Sequence, residues 1–172
     1  RTCTLQMSVM PNIYQRLTQG VLIAGGIIAA VPPAWATSFT ISSGETVTAA
    51  QTLLDGETGL IESGGFLNTT TTSITSSANN TVITNNGTIN VNVDGVTVFS
   101  NGSTIINNGL IRTSGDNSAV TDFRGSGHNF TNNGTIITTG VGSEAFFNRA
   151  DNDVFNNNGL IQTSGVNSDV FE

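Results

Sequence analysis

Residues 107–120 read NNGLIRTSGDNSAV and residues 157–170 read NNGLIQTSGVNSDV, identical at 11 of 14 positions. A looser version, NNGTIITTGVGSEA, occupies residues 132–145, 25 residues from each. Taking the glycine of each NNG as an origin gives Gly87, Gly109, Gly134 and Gly159, spaced 22, 25 and 25 residues apart. Two residues beyond each origin stand Ile89, Ile111, Ile136 and Ile161, and four beyond stand Val91, Thr113, Thr138 and Thr163. Eleven beyond come Val98, Val120, Ala145 and Val170, and four before come Ile83, Ile105, Phe130 and Phe155. Each unit therefore offers apolar or small side chains at three places, separated by Gly, Ser and Asn turns. The spacing of two between core positions is strand periodicity.

Three short strands in every 20–25 residues predict an all-β solenoid, a right-handed parallel β-helix. One coil cannot bury its own apolar residues, whereas stacked coils share a continuous core. Equivalent residues then lie one strand spacing apart, about 4.8 Å. Ile is expected to stack on Ile, Phe130 on Phe155, and the NNG asparagines in amide ladders. Asn86-Gly87, Asn108-Gly109, Asn133-Gly134 and Asn158-Gly159 are read as structural corners with left-handed backbone. Leucine-rich repeats have a similar length but need a Leu-x-Leu pattern, and the calcium-binding nonapeptide needs G-G-x-G-x-D, which never occurs. Weaker copies at 42–47 and 63–67 place Gly44 and Gly65 at 21 and 22 residues before the next origin. The expected layout is an N-terminal cap with degenerate coils over 37–84 and regular coils over 85–172.

The 172 residues carry a net charge of −7, and all five basic residues are Arg. A nucleic-acid partner is disfavoured, because no Lys/Arg cluster exists to face phosphates. Residues 10–36, MPNIYQRLTQGVLIAGGIIAAVPPAWA, combine Arg16, an apolar run over 20–31 and Ala34-Trp35-Ala36. That is the three-part form of a cleavable export signal, with a cut after Ala36. A run of 12 residues is short for a membrane-spanning helix, which needs about 20. Residues 1–9 read as an upstream extension. Removal of the signal takes the only cysteine, Cys3, and leaves three Arg against twelve Asp or Glu, a net charge of −9.

An export signal, a cysteine-free mature sequence and imperfect N-N-G-T/L-I units resemble the N-terminal part of an autotransporter passenger from a Gram-negative bacterium. The resemblance runs from about Met10 to Glu172. It implies Sec-dependent export, then passage through a C-terminal β-barrel, and a location at the outer membrane or cell surface, or release as a secreted protein. No barrel sequence is present and the coil opened at Gly159 is incomplete, so the chain is read as part of a longer protein.

No catalytic set, metal site or cofactor requirement emerges. His128, the single histidine, lies beside glycines and is expected to be a solvated turn residue. Asp151-Asn152-Asp153 begins like a calcium loop but continues with Phe155 and Asn156 where a carboxylate and glycine belong. Arg124 and Arg149 share a register and are expected to stack, with Asp122, Asp151 or Asp153 offsetting them, or to clasp a ligand carboxylate. Phe99, Phe146 and Phe171, each twelve beyond its origin, form a candidate aromatic binding stripe if alternation turns them outward, and core residues if the chain turns a corner there. The function expected is a non-enzymatic, adhesin-like or stalk-like surface passenger with a glycan or protein ligand. The alternatives are a passenger whose catalytic part, a hydrolase or polysaccharide lyase, lies outside this stretch, and a short secreted solenoid that binds carbohydrate.

Overall fold

A computed structural model describes residues 38–172. The extension at 1–9, the export signal at 10–36 and its cut at Ala34 and Ala36 lie outside the described residues. Every regular element among the described residues is a strand. The first coil is β1 (Phe39–Ile41), β2 (Thr46–Val47) and β3 (Gln51–Leu53), and the second is β4 (Thr58–Ile61), β5 (Phe66–Thr69) and β6 (Ile74–Ser76). The third is β7 (Val82–Asn85), β8 (Thr88–Val91) and β9 (Val96–Val98), and the fourth is β10 (Thr104–Asn107), β11 (Leu110–Thr113) and β12 (Thr121–Phe123). The fifth is β13 (Asn129–Asn132), β14 (Thr135–Thr138) and β15 (Phe146–Asn148), followed by β16 (Val154–Asn157) and β17 (Leu160–Thr163). Strands one coil apart pair in parallel and build three sheets: A (β1-β4-β7-β10-β13-β16), B (β2-β5-β8-β11-β14-β17) and C (β3-β6-β9-β12-β15). The chain is a parallel β-solenoid.

The core follows from the repeat. Ile83, Ile105 and Phe130 point inward from sheet A, Ile89, Ile111 and Ile136 from sheet B, and all are buried. They stack as expected: Ile83 on Ile105, Ile105 on Phe130, Phe130 on Phe155, and Ile89 on Ile111 on Ile136 on Ile161. Each buried Ile or Phe contributes about 1.5–3 kcal/mol, so one coil is marginal alone and the stack is not.

The Asn ladders form at the A–B corner, and there are two of them. Asn85 Nδ2 donates to Asn107 Oδ1 (2.8 Å), Asn107 to Asn132 (2.7 Å) and Asn132 to Asn157 (2.8 Å), on the inside. Outside, Asn108 donates to Asn86 (2.8 Å), Asn133 to Asn108 (2.8 Å) and Asn158 to Asn133 (2.9 Å), in the opposite sense. The inner sense is set by the backbone, because Asn85 Oδ1 accepts the Gly87 N–H and its Nδ2 also reaches the Leu110 carbonyl.

The corner glycines are needed for a different reason from the one expected. Gly87, Gly109, Gly134 and Gly159 do not have positive φ. A Cβ on any of the last three would fall against the carbonyl oxygen of the corner glycine one coil earlier, and on Gly87 against that of Gly65. The constraint is the approach of two backbones, not handedness. From the third coil onward left-handed residues lie at other corners, whereas in the first two coils Gly44 and Gly64 are left-handed at the A–B corner itself. Asn80, Gly102, Gly127 and Asn152 mark the C–A corner, and Asn117, Gly142 and Asn167 the B–C corner. Gly44 is also left-handed and aligns with Gly64 rather than with Gly65, since Thr46 pairs with Phe66.

Sheet C holds the main departure in register. Val98, Val120 and Ala145 are all buried, yet Val98 pairs with Phe123, not with Val120. The link from β8 to β9 runs from Val91 to Val96, while those from β11 to β12 and β14 to β15 run from Thr113 to Thr121 and Thr138 to Phe146. The later B–C corners are thus three residues longer, and the whole change of period from 22 to 25 is inserted there.

Candidate functional site

The polar residues inside the solenoid bear first on any chemistry. Alternation from Ile83, Ile105, Phe130 and Phe155 directs Thr81, Ser103, His128 and Asp153 to the C–A corner as one column. His128 is 1% exposed, which corrects its reading as a solvated turn residue. Its ring stacks on Phe123, with centroids 4.9 Å apart and planes at 14°. Its Nδ1 accepts the Ser103 N–H at 3.2 Å, and its own N–H donates to Asp153 Oδ1 at 2.7 Å. Burial, the larger influence, lowers the His128 pKa, and the nearby Asp153 carboxylate acts in the opposite direction. A Ser, a His and an Asp therefore share a column, but their bonds are not those of a nucleophilic triad. The Thr81 hydroxyl donates to the Ser103 hydroxyl (2.9 Å), and no carboxylate reaches the imidazole nitrogens. The column is a packed structural seam. Asn152 supplies the left-handed turn before it, so Asp151-Asn152-Asp153 acts as a corner and cap.

The register shift in sheet C rearranges the expected stripe. Phe146 pairs with Thr121, points inward and is 2% exposed, within ring contact of Phe130 (4.8 Å) and Phe155 (5.0 Å). Phe171 bridges to Phe146 and stacks on it at 4.9 Å. Phe99 faces out, but its column neighbours are Arg124 and Arg149, because Val98, Phe123 and Asn148 pair in series. There is no Phe99–Phe146–Phe171 stripe. The alternation continues past the corner, and three extra residues change which side faces out. The outward aromatic of β15 is Phe147, in register with Asp122.

On this outer face Arg124 lies over the Phe99 ring at 4.8 Å, and Arg149 over the Phe147 ring at 4.2 Å. Such contacts contribute about 0.5–1 kcal/mol at exposed sites. The Arg124 fork is already engaged: its Nε and Nη2 donate to Asp122 Oδ2 at 3.0 and 2.6 Å. That hydrogen bond, with the Coulomb attraction of Asp122 and Asp94, raises the Arg124 pKa. Asp122 thus offsets Arg124 as expected, whereas the Arg149 guanidinium is paired with a ring.

A cleft of about 580 Å³ opens beside these residues. Its walls come from Asp94 on the short corner, Asn117, Gly142, Glu144 and Asn167 on the long corners, Asp122, Arg124, Phe147 and Arg149 along sheet C, and Glu172. It lies where a short corner meets the longer ones above it, so the change of period shapes it. Asp94 Oδ1 accepts the Ala119 N–H at 2.9 Å. Burial, the leading cause, together with the neighbouring Asp122 carboxylate, raises the Asp94 pKa. Glu144 is also raised, first by burial and then by Glu172. Asp122 is 3% exposed, and its Oδ1 has no hydrogen-bond partner. The acids Asp94 and Glu144 were not singled out in the sequence, because they come from corners of different length.

Comparison with protein-family models, with curated proteins and with solved structures gives no match.

Proposed function

We propose that the chain is the solenoid of an exported cell-surface autotransporter passenger with an adhesive rather than a catalytic role, and that its ligand is a glycan held on the outer face of sheet C. The observation that carries the ligand side is the convergence of a ring-stacked arginine (Arg149 on Phe147), two asparagines and four acidic side chains (Asp94, Asp122, Glu144 and Glu172) on one cleft. Sugars present hydroxyls that pair with carboxylates, amides and guanidinium groups, and C–H faces that lie against aromatic rings. The surface-passenger side is supported by the export-type N-terminus, the cysteine-free repeat and the long stacked architecture.

A glycan array probed with the full chain tests the ligand assignment. Binding to at least one glycan, lost in Phe147→Ala and Arg149→Gln proteins that still fold, is the expected result. An array without signal would remove it. A second reading, glycoside hydrolysis, is favoured by one fact: Asp94 and Asp122 share the cleft, and the Asp94 pKa is raised toward that of a general acid. Release of reducing ends from a bound glycan, abolished by Asp94→Asn, would establish hydrolysis and displace the adhesive assignment.

A further inference from the structure

A second hollow, of about 450 Å³, lies on the outer face of sheet B and shares no lining residue with the cleft on sheet C. Its shape follows from the register. Phe66, Thr88 and Leu110 stand side by side on β5, β8 and β11, and Asn68, Asn90 and Arg112 form the neighbouring column. In the first column a small residue sits between two large ones, so Phe66 and Leu110 wall a notch with Thr88 as its floor. The walls are two strand spacings apart, about 9.6 Å. A flat ring seated between them needs a carbon contact of about 4 Å on each face, which takes up most of that width. Phe66 is 45% exposed, so its ring is open to such a contact. The inward neighbours Leu67, Ile89 and Ile111 are buried in the core, which fixes the three strands and the notch they carry.

The second column sets the chemistry. Asn90 Nδ2 donates to Asn68 Oδ1 at 3.0 Å, which leaves the Asn68 amide hydrogens and the Asn90 carbonyl oxygen for hydroxyl groups. Arg112 is exposed, and the one ion pair among the described residues is that of Arg124 with Asp122. No Asp or Glu lies among the outward residues of the sheet B strands, where Arg112 is the only charge. Sheet C differs, because there Arg124 is bonded to Asp122 and Arg149 is stacked on a ring. A guanidinium fork without a carboxylate partner matches a planar carboxylate on a ligand.

We infer that the notch on sheet B binds a uronic acid residue of an acidic polysaccharide. The sugar ring lies between Phe66 and Leu110, its hydroxyls meet Asn68 and Asn90, and its carboxylate meets Arg112. This site goes beyond the cleft on sheet C and needs no ligand there. The whole chain carries a net charge of −7, so the attraction for an anionic sugar is local to Arg112.

The test is calorimetric titration of the full chain at about pH 7, where sugar carboxylates are ionised, and about 0.15 M salt, which screens distant acids. Tetramers of galacturonic, mannuronic and guluronic acid are each compared with their methyl esters, which keep the rings and remove the charge. Benzoate, a flat ring with a carboxylate and no hydroxyls, is the non-sugar probe. Arg112→Gln removes the cation and Thr88→Phe fills the notch. Both are checked for wild-type melting behaviour, and either decides the question if the other unfolds. The expected result is that at least one uronate tetramer binds about tenfold more tightly than its ester. That preference vanishes in Arg112→Gln, and Thr88→Phe binds neither form. Absence of binding by all three tetramers, equal binding of acid and ester, or binding undiminished in the folded variants would overturn the inference. Benzoate binding as tightly as the tetramer would overturn the sugar assignment. Loss of binding in Phe147→Ala but not in Arg112→Gln would put the ligand in the cleft on sheet C and overturn this site. The glycan array with Phe147→Ala and Arg149→Gln alone decides the reading of that cleft, so the two assignments fail separately.

Discussion

The A–B and B–C corners of this solenoid are built from the same residue types and are constrained in different ways. From β7 onward every A–B corner has one length, and its glycines face a carbonyl oxygen of the coil before, leaving no room for a Cβ. The B–C corner lengthens by three residues after the third coil and reaches its turn through Asn117, Gly142 and Asn167 in the left-handed region. A Cβ on Gly142 would meet only the tip of the Asn117 side chain. Where backbone packs on backbone, length and sequence are fixed, and the repeat is easy to see. The B–C corner is packed in the same way where it leaves sheet B, since a Cβ on Gly115, Gly140 or Gly165 would fall on a carbonyl oxygen of the coil before. At the turn beyond, only local conformation matters; there the corner varies, and the cleft with its acids and arginines lies against it.

The largest effects are expected inside the A–B corner. Asn107→Leu removes an amide bonded to Asn85, Asn132 and the Thr135 carbonyl. Two buried amides are left short of a partner, and the loss should be about 3 kcal/mol of unfolding free energy in urea. Asn108→Ala, in the exposed outer ladder one residue away, should cost less than about 0.5 kcal/mol. Similar costs for the two would mean that the inner ladder is no special part of the corner.

A smaller effect depends on pH. The His128 pKa is lowered from 6.5, so the folded state binds fewer protons than the unfolded state between the lowered and ordinary values. Stability is complete above pH 6.5 and falls as pH drops through the lowered value. His128→Gln should flatten that slope in unfolding curves followed across the range, and an unchanged slope would remove His128 as its source.

At the B–C corner the sign reverses and the effect is smaller still. Asp94 is raised from 3.8, so its ionised form is disfavoured in the folded state, and stability declines as pH rises through that range. Asp94→Asn keeps an acceptor for the Ala119 N–H and should be slightly more stable than wild type at neutral pH, with no gain below pH 3.8. A loss of stability at neutral pH would show that the carboxylate is structural there.

The same contrast decides what was legible in the sequence. Sheets A and B were readable because their inward residues keep fixed distances from each NNG glycine. Sheet C was misaligned because Val98 and Val120 are both apolar and both eleven residues beyond a glycine, which hides the insertion between them. Counting backward from Ile105, Phe130 and Phe155 gives Val98, Phe123 and Asn148, seven residues before each, and that is the true register. Counted this way, Phe99, Arg124 and Arg149 fall in one column and Phe146 turns inward. The burial of His128 was signalled too, since it stands two before Phe130 as Ser103 does before Ile105. The cleft was not legible, because its acids come from corners of unequal length and only the folded register brings them together.

The most direct test compares one substitution at the two corners of one coil: urea unfolding of Gly134→Ala and Gly142→Ala. At Gly134 the added Cβ falls against the Gly109 carbonyl, so the coils must part, and a loss of about 3 kcal/mol or more is expected. At Gly142 the added Cβ meets only the movable tip of the Asn117 side chain and φ is +61°, so the cost is mainly that of a left-handed alanine, about 1 kcal/mol. Equal losses, or a greater one at Gly142, would contradict the account of a corner fixed by backbone packing and a turn free to carry function.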